Sequence, residues 1–267
     1  MRSFLIFLCF ILPFVTVGIV YFKHNSPVST LKPIEQFVVL PDYPDLLNKI
    51  NLRNSQVKNL TTRNFAVKVY QDGRRLKLKG SLAYQKDKQF RLILMSIFGK
   101  ESDLGSNDKI FWFWSKRMNS PSLFFAKHDD YHKTRLKTPF NPMYIMESLA
   151  IDQIKLEKVR TAELNGKLLV IDSMLNSIGD PIVRFIYIDK ISERIEGFVI
   201  IDNKGAIQVS VEVKSWDGFI PKEILYIWYE ENVSMVFNFD KVEINTLLDD
   251  SLWDLPAIRP QVDMGTD

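Results

Sequence analysis

Catalytic material is scarce in this chain. Among 267 residues there is one cysteine, Cys9, and there are three histidines. A lone cysteine forms no intramolecular disulfide, and a domain without cysteine is compatible with any redox compartment. No Gly-x-Ser-x-Gly elbow, phosphate-cradling glycine loop or Cys-x-x-Cys pair occurs. Nucleophilic and acid-base machinery therefore has few residues to draw on, and neither enzymatic activity nor a cofactor is expected. A strong charge of one sign is missing too. The 35 basic and 32 acidic residues are interspersed and leave +3, too little to argue for nucleic acid as a partner. With 46% hydrophobic and 25% charged residues, the composition gives no sign of disorder and suits one substantial domain plus an appendage.

One histidine cluster needs weighing. His128-Asp-Asp-Tyr-His132 sets two imidazoles four residues apart with carboxylates between them, which on a helix could face a metal together. The segment is polar, adjoins predicted strands and lacks the His-Glu-x-x-His order, so it reads as a solvated loop and no metal is expected. The acid pairs Asp129-Asp130, Glu230-Glu231 and Asp249-Asp250 fall in predicted turns and read the same way.

The N-terminus carries an address. Arg2 precedes an apolar run from Phe4 to Phe22, closed by Lys23-His24. About 20 residues span a bilayer as a helix, whereas the apolar centre of a signal peptide is about 7 to 15 residues. Residues 1–22 are therefore expected to be an uncleaved signal anchor that contacts the membrane, with cleavage near Thr16-Val-Gly18 as the alternative. Either way the remainder is exported. Residues 23–44 hold Pro27, Pro33, Pro41 and Pro44 and read as an extended spacer. The domain is expected at 45–256, with 257–267 as a tail.

Two periodicities dominate that domain. From Thr61 to Trp114, Leu76, Leu78, Leu82 and Tyr84 fall on one parity and Lys77, Lys79 and Ser81 on the other, the period-two pattern of a strand with one wet face. Asp72-Gly73 between the first two strands is a hairpin signal. Ile110-Phe-Trp-Phe-Trp114 is apolar on both parities and is expected to be covered on both faces. Residues 98–108 read as a turn-rich loop with room for a short strand. After Leu168 the strand pattern resumes, and Ile207, Val209, Val211 and Val213 alternating with Gln208, Ser210, Glu212 and Lys214 give the clearest one-sided strand. Helical stripes are few. Leu46, Ile50, Val57 and Leu60 share one face after Asp45, a candidate N-cap. Met143, Ile145, Met146 and Leu149 make the segment after Asn141-Pro142 apolar over much of its circumference. A third, weaker helix or an irregular segment runs from Asp152 to Leu156.

About ten antiparallel strands with two or three short helices define a mainly β, α+β chain. A sheet that large must curl or close, so the expected architecture is a strongly curved antiparallel sheet, an incomplete β-barrel with short helices as a lid. A closed barrel and a two-sheet sandwich are the alternatives. The surplus of apolar side chains and the methionine-rich helix suit a cleft for hydrocarbon chains, because methionine adapts to irregular apolar partners and each buried CH₂ contributes about 0.8 kcal/mol. A filled core without a cavity satisfies the same pattern.

The order of these segments resembles a known family. An amphipathic helix, Phe65-Ala-Val-Lys-Val, then Leu78-Lys-Gly-Ser-Leu-Ala-Tyr-Gln-Lys-Asp-Lys-Gln-Phe-Arg-Leu, then Ser106-Asn-Asp-Lys-Ile-Phe-Trp-Phe, looks like the lipoprotein-localisation carrier superfamily, LolA and LolB. Phe237-Asn-Phe-Asp-Lys-Val-Glu-Ile-Asn followed by Leu252-Trp-Asp-Leu-Pro256 is similar to the close of those domains. The resemblance spans about Asp45 to Pro256 and consists of residue types in order rather than catalytic signatures. It implies a half-barrel whose concave apolar face, lidded by short helices, receives lipoprotein acyl chains in the bacterial envelope. The protein would lie on the periplasmic side, anchored to the inner membrane or free after cleavage, as a monomer. The expected cavity positions are Phe65, Val67, Leu78, Leu82, Phe90, Leu92, Phe111 and Phe113, with Met143, Met146 and Leu149 on the lid. In the soluble carrier an arginine just after the second strand bonds to the lid. Alignment on Gly80 and Phe90 puts Lys86 there, followed by Asp87 where the carrier has proline, and lysine lacks the planar multi-donor fork. Acyl binding is therefore the expected function rather than energy-coupled shuttling. The alternatives are a tethered interaction or scaffold module with a filled cavity, and an envelope hydrolase using His128 or His132.

Overall fold

The computed structural model describes residues 27, 29, 38–39, 43–86, 89–118, 121–134, 142–149, 151, 153–156, 159–176 and 179–265. The expected anchor at 1–22, Asp87 and Asn141 lie outside them.

Helix α1 spans Pro44–Ser55 with Pro44 in its first turn, where the missing N–H costs nothing. The expected cap, Asp45, sits inside that first turn and favours the positive helix end by its charge; Tyr43 holds the cap position without a side-chain bond. Leu47 and Ile50 are buried against Leu168, Val170 and Ile188. The helix stops at Ser55, so Val57 and Leu60, expected on its stripe, belong instead to the approach and start of β2 (Asn59–Gln71).

An antiparallel meander follows: β3 (Arg74–Gln85), β4 (Gln89–Ser96), β5 (Gly99–Ser106), β6 (Ile110–Ser115) and β7 (Leu123–Lys127). Asp72 and Gly73 both take positive φ, 49° and 73°, as a two-residue hairpin turn requires. A bulge at Asn64, φ 58°, lets Thr62 face Leu82 and Phe65 face Gly80, so one extra residue keeps Phe65 on the inner face. The Phe65 ring lies across Gly80 so closely that an added Cβ would stand 2.3 Å from it. β5 replaces the expected loop. Its outward residues Glu101 and Asp103 are buried yet satisfied, Glu101 by Arg117 at 2.7 Å and Asp103 by Arg91 at 3.0 Å and Lys100 at 2.7 Å.

A 3₁₀ turn over His128–Lys133 and helix α2 (Pro142–Ser148) connect this meander to a second one. The second comprises β8 (Val159–Leu164), β9 (Lys167–Leu175), β10 (Pro181–Asp189), β11 (Arg194–Asp202), β12 (Ile207–Asp217), β13 (Ile220–Trp228) and β14 (Val233–Asn238). β14 pairs with β2, Phe237 opposite Val67, and so joins the two meanders into one curved sheet. β15 (Val242–Ile244) pairs with the start of β2.

Two short strands finish the edges. β1 (Val38–Val39) pairs with β8, and β16 (Gln261–Asp263) runs parallel to β7. The sheet thus includes two residues of the expected spacer and three of the expected tail. β1 and β16 end the path without pairing with each other, which leaves an incomplete barrel of sixteen strands among the described residues. The wet face expected on β12 is exposed at Lys214 and half-buried at Gln208, but not in between. Ser210 and Glu212 are buried there, and Ser29 donates to Glu212 Oε2 at 3.0 Å.

Candidate functional site

The inner face is continuous and apolar. Cross-strand pairing sets Leu82 opposite Leu92, Leu92 opposite Leu104, Leu104 opposite Phe113 and Phe113 opposite Phe124 in one row. All eight expected cavity positions, Phe65, Val67, Leu78, Leu82, Phe90, Leu92, Phe111 and Phe113, point inward and belong to one cluster. The cluster crosses the β2–β14 seam through Phe65, whose ring centroid is 5.6 Å from Phe237 and 4.7 Å from Phe239. Tyr226 and Trp228 stack farther round, at 5.7 Å.

Helix α2 packs on that face. Tyr144, Ile145, Met146 and Leu149 are in the same cluster as the sheet residues, which unites the expected lid positions Met146 and Leu149 with the expected cavity positions. Met143 lies in α2; its side chain is outside the described set. Phe65 is fully buried and Phe90 likewise, so with α2 in place these side chains pack on one another.

Among the described residues, two polar contacts hold α2 to the sheet, and neither was expected. Ser148 and Tyr226 share a short, buried hydrogen bond. Burial raises the Tyr226 hydroxyl well above its ordinary pKa, so it is a neutral donor at any physiological pH. The second contact is ionic. Arg184 reaches inward from β10 and places Nη1 2.6 Å from Glu147 of α2 and Nη2 2.6 Å from Asp172 of β9. Burial works against the Arg184 charge, but Glu147, and then Asp172, more than offset it and raise the guanidinium pKa. An arginine flanked by two carboxylates on an otherwise apolar face ties helix and sheet in one orientation.

Lys86, at the latch-equivalent position, serves another element. Its Nζ donates to the carbonyl of Asn54 at the end of α1, 2.8 Å away, and its amide donates to Lys58 O at 3.0 Å. The pairing of Arg184 with Glu147, separated by 37 positions, carries no local signal. The one available clue was a charged residue on the apolar parity of a strand, between Ile182 and Ile186.

His128 holds a turn together. Its Nε2 lies 2.7 Å from the Asn107 carbonyl, which only accepts, and 3.3 Å from Ser106 Oγ. The side chain of His132 is outside the described set. Among the described residues no group of three or more His, Cys, Asp or Glu side chains is arranged as a metal site. A separate cleft of about 300 Å³ lies between the outer face of β2 to β4 and the segment after β15, lined by Arg63, Arg91, Ile93, Leu247 and Asp249 among others.

No family model and no curated protein matches the sequence. Solved structures do match the fold. A DUF1329 family protein from Desulfovibrio piger superposes with a TM-score of 0.52 at 10% identity, covering 80% of this chain and 98% of its own. A LolA superfamily protein from Nitrosomonas europaea gives 0.51 at 8% identity, covering 78% and 97%. An outer membrane lipoprotein-sorting protein domain from Vibrio parahaemolyticus gives 0.51 at 12%, covering 78% and 94%. The chain shares its fold with these three proteins, a LolA superfamily protein and a lipoprotein-sorting domain among them. At these identities the likeness concerns the backbone plan and not the side chains that would hold a ligand.

Proposed function

We propose that this domain is a non-enzymatic binder of lipid acyl chains, those of lipoproteins foremost, working on the periplasmic side of a bacterial envelope. The observation that carries the reading is the placement of α2, whose apolar side chains sit on the sheet's apolar face and whose polar ones tie it down through Arg184 and Tyr226. A helix of seven residues is marginal by itself, so its docking rests on those contacts. When it lifts, the acyl chain takes its place against the sheet, gaining about 0.8 kcal/mol for each buried CH₂. The shared plan with a lipoprotein-sorting domain supports the same reading. In this view the apolar run at 1–22 keeps the domain at the inner membrane, and the domain acts as a monomer.

A second reading has its own support. The described inner-face side chains are buried against one another and in one cluster with α2, an arrangement that also suits a scaffold module that retained the fold and closed its cavity. Titration of the purified protein with a fluorescent long-chain fatty acid separates the two. Saturable binding, competed by palmitate, is expected; a folded protein without saturable binding would leave the scaffold reading.

A further inference from the structure

The hairpin of β2 and β3 concentrates positive charge. Between Asn59 and Gln85 there are six basic residues and one acid, Asp72, an excess of five in a chain whose whole net charge is +3, so the rest of the molecule is net acidic. Register places the charges together. Lys68 stands opposite Lys77, Tyr70 opposite Arg75, and Ala66 opposite Lys79, all on the outer face, with Arg74 at the tip. Two like charges directly opposite one another destabilise a hairpin. Neutralising partners are missing: Lys68, Arg74, Arg75, Lys77 and Lys79 form no ion pair among the described residues.

An apolar prominence adjoins this face. Lys79 pairs with Met95, after which β4 ends, and the turn to β5 exposes Ile97 by 92% and Phe98 by 70%. The turn emerges at the same end of the sheet as Asp72-Gly73. Its backbone is pinned by another cation, Lys116, whose Nζ donates to Phe98 O at 3.2 Å. Unpaired cations beside two exposed apolar side chains match one kind of surface: anionic headgroups above a hydrocarbon layer. An acidic protein would satisfy the cations and leave Ile97 and Phe98 in water.

We propose that the outer face of the β2–β3 hairpin, continued by the Ile97-Phe98 turn, is a seat for an anionic lipid surface, separate from the apolar run at the N-terminus and from the inner face. The cations supply attraction and orientation, and the turn enters the headgroup layer. The proposal does not depend on whether the interior takes an acyl chain.

The test uses the full chain with Cys9→Ser and a polarity-sensitive fluorophore on Ile97→Cys, mixed with phosphatidylcholine vesicles with or without phosphatidylglycerol. The expected result is a blue shift on the anionic vesicles alone, reversed by high salt. Replacing Lys68, Arg74, Arg75, Lys77 and Lys79 together by glutamine should weaken the apparent vesicle affinity read from that shift by about tenfold or more. Replacing the three lysines by arginine should preserve it. The same label on Ile191→Cys, exposed by 95% at the opposite end of the sheet, should stay silent. An equal shift on both vesicle types, persistence in the folded glutamine variant, or a matching response at position 191 would overturn the proposal. So would a response to soluble polyglutamate with none to anionic vesicles, which would assign the face to an acidic protein.

Discussion

The two meanders of this sheet share an apolar inner face but differ in where their charges lie. In the first, β2 to β7, the inner face is apolar around Phe65, Leu82, Leu92 and Phe113, and the outer face carries lysines, arginines and buried carboxylates. In the second, β8 to β14, a charged trio of Arg184, Asp172 and Glu147 stands on the inner face, while Phe185, Tyr187, Leu169 and Val199 form an apolar cluster on the outer one. One strand pairing, β14 with β2, joins them. The comparison teaches that the first half acts as a plain apolar wall and the second half positions the helix that lies against it.

Breaking the wall should have the largest effect. Phe65 touches both sides of the seam, so Phe65→Ala is expected to destabilise the fold by about 3 to 5 kcal/mol, read from chemical denaturation. Gly80→Val should act on the same contact, because its side chain must displace that ring.

Breaking the charged trio should cost less and act on α2. Arg184→Met leaves two carboxylates facing each other; allowing for its partial exposure, a loss of about 1 to 3 kcal/mol is expected, with faster amide exchange over residues 142–149. Combining it with Glu147→Gln and Asp172→Asn should recover most of the stability but not the slow exchange. Full recovery of both would show that the trio does nothing to hold α2 in place.

The acidic side of the first half gives a smaller, pH-dependent effect. Burial opposes the Glu101 charge, but hydrogen bonds from Arg117 and Ser96 more than offset it, so its pKa falls below the ordinary 4.5. A carboxylate with a depressed folded pKa stabilises above the unfolded value and loses that contribution as pH drops through the folded one. Stability should therefore decline below pH 4.5, and Glu101→Gln should flatten that decline. The smallest effect is expected at the lysine pair, where Lys77→Glu opposite Lys68 should stabilise by about 0.2 to 1 kcal/mol.

Much of the first half was legible because its strands alternate cleanly. The parity of Leu76, Leu78, Leu82 and Tyr84 set the inward face, and the doubly apolar run from Ile110 to Trp114 does face packing on both sides, with Trp112 lying across Gly105 on the outer one. β5 was hidden because Glu101, Ser102 and Asp103 read as surface, and the burial of the two carboxylates is made tolerable by Arg91 of β4, Lys100 of β5 itself and Arg117 after β6. On β12, Ser210 and Glu212 looked wet for the same reason until Ser29 reached them. The inward positions of the proposed cavity follow from parity. The tie at Arg184 does not, since its partners come from β9 and α2 and depend on the closed arrangement of both.

The most direct test of acyl binding by the inner face is native mass spectrometry of the protein purified from bacteria, followed by delipidation and re-addition of a diacyl lipid. The account predicts a bound acyl species on the purified protein. It also predicts its return at one molecule per chain, with slower amide exchange in the strands around Leu82 and Leu92. A folded protein that carries no acyl species, takes none up and shows no change in exchange would contradict it.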